Sequence, residues 1–188
     1  MTKEAFAELL HSDQVTPKTK EVLEQRENKI SPSPLFFSIK EFDLLQSVCD
    51  VLLAQQTNNC LVNVAGAIDQ RLTAKTGPGW RYDQLPADGI AYQTGLKGIA
   101  ESVLLLSHQN FSELSLEEKK DLLKTVQQGN ADGETWKNFS GKLFFELMLT
   151  EATEHFYGHP NAQAEINYTG FADANGWEVP QLKPENII

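Results

Sequence analysis

Apolar residues recur every three to four positions in one segment after another of this chain, and no stretch alternates with period two. Such spacing puts the apolar side chains on one stripe of a helix, whereas a half-buried strand needs strict alternation. The constraint is strongest from Glu134 to Tyr157. There Trp136, Phe139, Leu143, Phe144, Leu147 and Met148 make one wide apolar face, and Gly158, His159 and Pro160 stop the helix. Two capping boxes, Ser38 with Glu41 and Ser115 with Glu118, mark further helix starts, with Phe37 placed as a hydrophobic staple for the first. The pattern predicts helices over 4–11, 17–29, 38–54, 62–72, 92–106, 115–129 and 134–157. The fold class is all-α, a helical bundle with an N-terminal helical arm and an irregular C-terminal tail.

Punctuation sets the organisation. Ser31-Pro32-Ser33-Pro34 reads as a linker, because proline removes donors and biases the preceding residue away from the helix. Residues 1–30 are therefore an N-terminal helical arm, 31–35 a Pro/Ser linker, and 36–188 the helical domain. A loop of about a dozen residues from Thr76 to Asp88, rich in Gly and Pro, has a length often given to function or to an interface. Gly95 and Gly98 lie inside a helical pattern. Each costs about 1 kcal/mol there relative to alanine, so they read as places of close packing.

Charge excludes several classes. With 16 Lys+Arg against 26 Asp+Glu in 188 residues, the formal charge is −10. Such a field repels phosphate backbones and anionic lipid, which argues against nucleic-acid binding. No apolar run approaches the roughly 20 residues of a membrane-spanning helix, so direct membrane insertion is not expected. The N-terminus MTKEAFAELLHSDQ has no twin-Arg pair, no long apolar stretch and no small-residue cleavage site. Read so, the protein is cytoplasmic; the periplasm stays open if a partner carries the export signal or a leader has been removed. Cys49 and Cys60 form neither a disulfide framework nor a zinc pattern, and Cys49 reads as a small core residue.

The sharpest pattern for chemistry is Glu151, His155 and His159. Their spacing of four puts them on one helix face, where they could share a metal in a helical metalloenzyme. Against it stand Gly158 and Pro160, which end the helix before His159; the plain alternative is a solvated helix end with histidine near the C-terminal dipole. No Gly-x-Ser-x-Gly and no cysteine signature supports nucleophilic catalysis, and Gly77-Pro78-Gly79 lacks the Lys-Ser/Thr of a phosphate loop. The chain thus reads as a subunit or adaptor rather than an enzyme by itself. Aromatics in irregular segments supply the candidate partner-binding residues: Trp80, Tyr82, Tyr168, Phe171 and Trp177. Their plain alternative is packing on the protein's own bundle. A stand-alone helical module with a small-ligand pocket also remains open, because such pockets leave no linear motif.

One resemblance spans most of the chain. In order, FFSIKEFDLLQSVCDVLL, VAGAIDQRL, AYQTGLKGI, FSELSLEEKKDLL and KLFFELMLTEATEHFYGHP, with a later NGW, resemble the gluconate 2-dehydrogenase subunit 3 family. Each is a degenerate helical pattern, and their order and spacing carry the likeness. The resemblance implies a non-catalytic small subunit that binds, stabilises or matures a large FAD-dependent dehydrogenase of the glucose-methanol-choline type acting on sugars or related alcohols. It implies no cofactor in this chain and FAD in the large subunit, and it allows a cytochrome c acceptor as a further partner. Many members carry a twin-Arg signal that exports the complex. This sequence has no Arg-Arg pair, shows Leu53-Ala54-Gln55-Gln56 where the family has a proline, and lacks a Gly-Asn pair after Tyr157-Gly158. The assembly role therefore carries over better than the export role, and no catalytic residue carries over.

Overall fold

A computed structural model describes residues 2–27, 33–55, 60–77, 84–107 and 109–174. Among them are eight α-helices and two 3₁₀ turns, and no strand. The fold is all-α, as the period of the apolar residues requires. The chain divides into two compact units, one of Ile30–Phe156 and one of Met1–Lys29 with Tyr157–Ile188.

The larger unit holds α3 (Ile39–Leu52), α4 (Val64–Ala74), α5 (Asp88–Ser107), α6 (Leu116–Gln128) and nearly all of α7 (Gly141–Tyr157). Both expected capping boxes are closed. Ser38 Oγ accepts from the Glu41 amide at 3.4 Å while the Glu41 carboxylate accepts from the Ser38 amide at 2.9 Å. Ser115 and Glu118 repeat this at 3.4 and 2.8 Å. Asn63 caps α4 by accepting from the Gly66 amide at 2.8 Å. At the core, Tyr92, Leu96, Ile99 and Val103 of α5 are buried with Leu45 and Val48 of α3 and with Phe144 and Met148 of α7. Burying each such side chain contributes roughly 1.5–3 kcal/mol.

The two helix glycines do what their place in the pattern suggested. A Cβ on Gly95 would sit 2.4 Å from the Phe144 ring, and one on Gly98 would sit 2.5 Å from the Trp136 ring. Trp136 is held over Gly98 by an indole N–H donated to Ser102 Oγ at 2.8 Å. This placement breaks the helix expected over 134–157. Thr135–Lys137 forms a 3₁₀ turn instead, and α7 starts at Gly141. A Cβ on Gly141 would sit 3.2 Å from the Val126 carbonyl oxygen. The start of α5 also differs, since Asp88-Gly89 opens the helix rather than closing the loop before it. Asp88 suits the positive end of the helix dipole, and Gly89 leaves room for the Phe36 ring, 2.7 Å from where its Cβ would be.

The smaller unit holds α1 (Lys3–His11), α2 (Pro17–Glu27) and α8 (Pro160–Glu165). Described residues 2–27 and 157–174 fall in this one compact unit. The reason is a shortage of apolar surface. Of α1 only Phe6 and Leu10 are buried, and of α2 only Leu23. Isolated helices of this length are marginal in water. Ala164 and Phe171 complete their core, with the Phe6 and Phe171 rings 4.7 Å apart. Asp173 then accepts from the Thr16 amide at 2.8 Å and from the Thr19 hydroxyl at 2.7 Å. Of the expected linker, residues 31–32 lie outside the described residues.

Candidate functional site

A polar cluster of the larger unit forms around Glu151 on α7. Arg71 of α4 donates to it twice, from Nε to Oε1 and from Nη2 to Oε2 at 2.8 Å. The Tyr92 hydroxyl of α5 donates to Oε2 at 2.7 Å. His155, one turn further along α7, brings Nε2 within 3.5 Å of Oε1. Arg71 Nη1 also donates to Asp88 Oδ2 at 2.8 Å and to the Thr76 carbonyl at 2.9 Å. Three helices are thereby tied through one guanidinium and one carboxylate, and the Tyr92 and Glu151 side chains are buried.

The electrostatics show what this cluster can do. Burial alone would push the Glu151 carboxyl up, but hydrogen bonds from His155, Arg71 and Tyr92 together hold it below its ordinary value. Burial, and then the neighbouring Glu151 charge, push the Tyr92 phenol well above its ordinary value. Burial opposes the charge of Arg71, but Glu151 and Asp88 outweigh it and raise its pKa. Near neutral pH the carboxylate is ionised, the phenol is protonated and the guanidinium is charged. A carboxylate whose two oxygens already face Arg71, Tyr92 and His155 is a poor base or metal ligand. The geometry is that of a buried clamp between helices.

Asp69, two residues before Arg71, makes a second clamp. Its carboxylate is buried and accepts from the Leu35 amide at 2.8 Å and from the Phe36 and Phe37 amides, each at 3.0 Å. The chain entering α3 is held to α4 by these bonds. Both clamp residues come from the segment VAGAIDQRL, where sequence reasoning saw only a helix. Their meaning could not be read there, because the carboxylates and amides that they join across elements are remote in sequence. A third buried carboxylate, Asp50 of α3, is less well served. Gln46 donates to it at 2.9 Å, but Oδ2 has no partner, and burial raises its pKa.

The proposed metal triad does not assemble. Glu151 is occupied as described, and His155 stays beside it on α7. His159 lies past the end of α7, in the smaller unit, where its Nδ1 caps α8 by accepting from the Asn161 amide at 3.2 Å. Burial holds its pKa below the ordinary value. Among the described residues no group of three His, Cys, Asp or Glu side chains could hold a metal ion. The equal spacing of four failed because Gly158 ends the helix between the two histidines.

Of the expected partner-binding aromatics, Trp80, Tyr82 and Trp177 lie outside the described residues. Phe171 is buried in the core of the smaller unit, as its plain alternative required. Tyr168 is 40% exposed. Sequence reasoning missed the apolar end of α5, where Leu104, Leu105 and Leu106 are 53%, 63% and 65% exposed. A run of three leucines was the available signal. Among the described residues no helix is long and apolar enough to cross a membrane.

Residues 39–173 match the family model described as gluconate 2-dehydrogenase subunit 3. No curated protein and no solved structure matches the chain.

Proposed function

The chain belongs to the gluconate 2-dehydrogenase subunit 3 family, and from this we propose that it is a non-catalytic accessory subunit that binds and stabilises, or helps mature, a separate FAD-dependent dehydrogenase. The family's name makes it a subunit of a dehydrogenase complex, and so implies partner subunits. The proposed partner is a large flavoprotein of the glucose-methanol-choline type, acting on a sugar or a related alcohol, with a cytochrome c as a further acceptor. The flavin and the hydride chemistry are assigned to that partner.

The observation that carries this reading is the family match over 39–173. The polar cluster supports it from the side of chemistry. Arg71, Tyr92 and Glu151 are spent on one another, so these three buried ionisable groups serve to join helices. A rigid helical body of this kind suits a part that offers a surface.

The test is co-expression of this chain with the flavoprotein encoded beside it, followed by size exclusion and a flavin absorbance spectrum. A co-eluting yellow complex is expected, with the flavoprotein less soluble or less active when expressed alone. A colourless monomer beside a flavoprotein that is soluble and fully active without it would overturn the reading.

A further inference from the structure

We propose that the smaller unit opens in mild acid, with His159 as the trigger: protonation of its ring removes the cap of α8, and the packing of α1 and α2 against that helix is lost with it. This switch stands on the smaller unit alone and does not depend on the subunit reading above.

Pro160 occupies the first position of α8 and has no amide hydrogen, so the Asn161 amide is the first donor that this helix must satisfy. His159 Nδ1 accepts from it at 3.2 Å. A ring nitrogen accepts only while it carries no proton, so the neutral ring holds its proton on Nε2. The charged ring donates from both nitrogens. Its Nδ1–H would then point at the Asn161 N–H, and two donors would face each other where a hydrogen bond had been. Asn, Asp, Ser and Thr are the usual side chains at such a position, and none of them exchanges acceptor for donor near neutral pH.

The surroundings hold the ring neutral. His159 is only 7% exposed. Of the charged side chains on α1, α2 and α8, those that act on the ring are Glu27 and Arg26 of α2. Burial opposes the charged form, Glu27 favours it and Arg26 opposes it, with the balance below the ordinary value of 6.5. Arg26 is fixed close by, since its Nη1 donates to the Gly158 carbonyl at 2.7 Å. The open unit therefore takes up the proton more readily than the closed one. Stability is complete above about pH 6.5 and is lost as pH falls below that value toward the folded pKa.

The unit hangs on α8, which has six residues and is too short to persist by itself. Both α1 and α2 pack on it. It buries Ala162 and Ala164, the latter in one small core with Phe6, Leu10, Leu23 and Phe171. The turn after it is tied back by the Asn167 amide, which donates to the Ala164 carbonyl at 3.2 Å, and by the Tyr168 amide, which donates to the Gln163 carbonyl at 2.9 Å. That turn sets the Phe171 ring against Phe6 and the Asp173 carboxylate against Thr16 and Thr19. Loss of the cap thus loosens the core and the Asp173 bonds together. Asp173 is itself sensitive to acid, but hydrogen bonds from Thr16 and Thr19 hold its carboxyl below its ordinary 3.8. Mild acid leaves it ionised and isolates the histidine.

The test is amide hydrogen exchange of the full chain at about pH 7.5 and about pH 5.5, corrected for the intrinsic effect of pH on exchange, in wild type, His159→Asn and His11→Gln. His159→Asn keeps a capping acceptor that does not titrate in this range. His11→Gln controls the unit's other histidine, which lies 3.8 Å from Glu24. From pH 7.5 to 5.5, wild-type protection over residues 3–27 and 160–174 should fall by about five- to tenfold, the most that one proton allows one unit below 6.5, while α6 keeps its protection. His11→Gln should behave as wild type, and His159→Asn should change by less than about twofold. If His159→Asn is already open at pH 7.5, His159→Ser, a second cap that does not titrate, decides in its place. An unchanged wild type, a fall of equal size in the capped variant, a fall abolished by His11→Gln, or an equal loss in α6 would each overturn the proposal.

Discussion

Replacing Arg71 by methionine tests the buried clamp directly. Methionine keeps much of the aliphatic bulk and removes both hydrogen bonds to Glu151 and the one to Asp88. The side chains of Arg71 and Glu151 are only 16% and 9% exposed. Removing one partner of such a pair leaves an uncompensated buried charge, which costs about 3–5 kcal/mol. Tyr92 and His155 still face the carboxylate, so the low end, about 3 kcal/mol, is the appropriate figure. For a domain of this size that lowers Tm by roughly 6–12 °C. Adding Glu151→Leu removes the stranded charge but leaves the Tyr92 hydroxyl without its acceptor, at about 1–3 kcal/mol. The double variant should therefore be more stable than Arg71→Met alone. The pH dependence has a definite sign. Glu151 titrates below its ordinary value of 4.5 in the folded protein, so its contribution is complete above that value and is lost as pH falls through the folded pKa. Without Arg71, burial dominates and the carboxyl takes up its proton at higher pH. Urea unfolding followed by circular dichroism should thus show the full deficit near neutral pH and a shrinking deficit in acid. An Arg71→Met protein within 0.5 kcal/mol of wild type, or a deficit that does not change with pH, would refute the reasoning.

Three further outcomes are expected. Gly95→Ala should destabilise by about 1–3 kcal/mol, because the new methyl meets the Phe144 ring at 2.4 Å; Phe144→Leu in the same chain should restore part of the loss in the same urea titration. Asp69→Ala should lose about 2 kcal/mol or more, because three backbone amides lose their acceptor, and hydrogen exchange should show faster exchange at Leu35, Phe36 and Phe37 than at the amides of α6. Phe171→Ala should cost the smaller unit about 3–5 kcal/mol, and limited proteolysis should then cut within residues 2–27 sooner while fragments of the larger unit persist.

Helix existence was legible in the sequence, and the physical reason is that its signals are local. The boxes at Ser38 and Ser115 close within three residues, so they could be read without knowing anything else about the chain. The period of the apolar residues likewise reports on one helix at a time. The same locality explains the errors. Trp136 carries good helical spacing with Phe144, yet it leaves the helix because Gly98, on another element, offers it a flat seat. The leucines at 104–106 look like core in a linear string, yet only Val103 of that stretch faces inward.

Sequence alone therefore determined an all-α chain, its caps, its close-packing glycines and its family likeness, because propensity, capping and periodicity act over three or four residues. Tertiary structure alone decided the rest. In the sequence Glu151 could be weighed only against its neighbours His155 and His159, but Arg71, which bonds both of its oxygens, is 80 positions away. Thr16 meets Asp173 across 157 positions, which makes the supposed arm half of a compact unit. A carboxylate has many cations and amides to choose from in a chain with 26 acids and 16 basic residues. Which one it takes depends on where the packed backbones bring the groups within about 3 Å of one another.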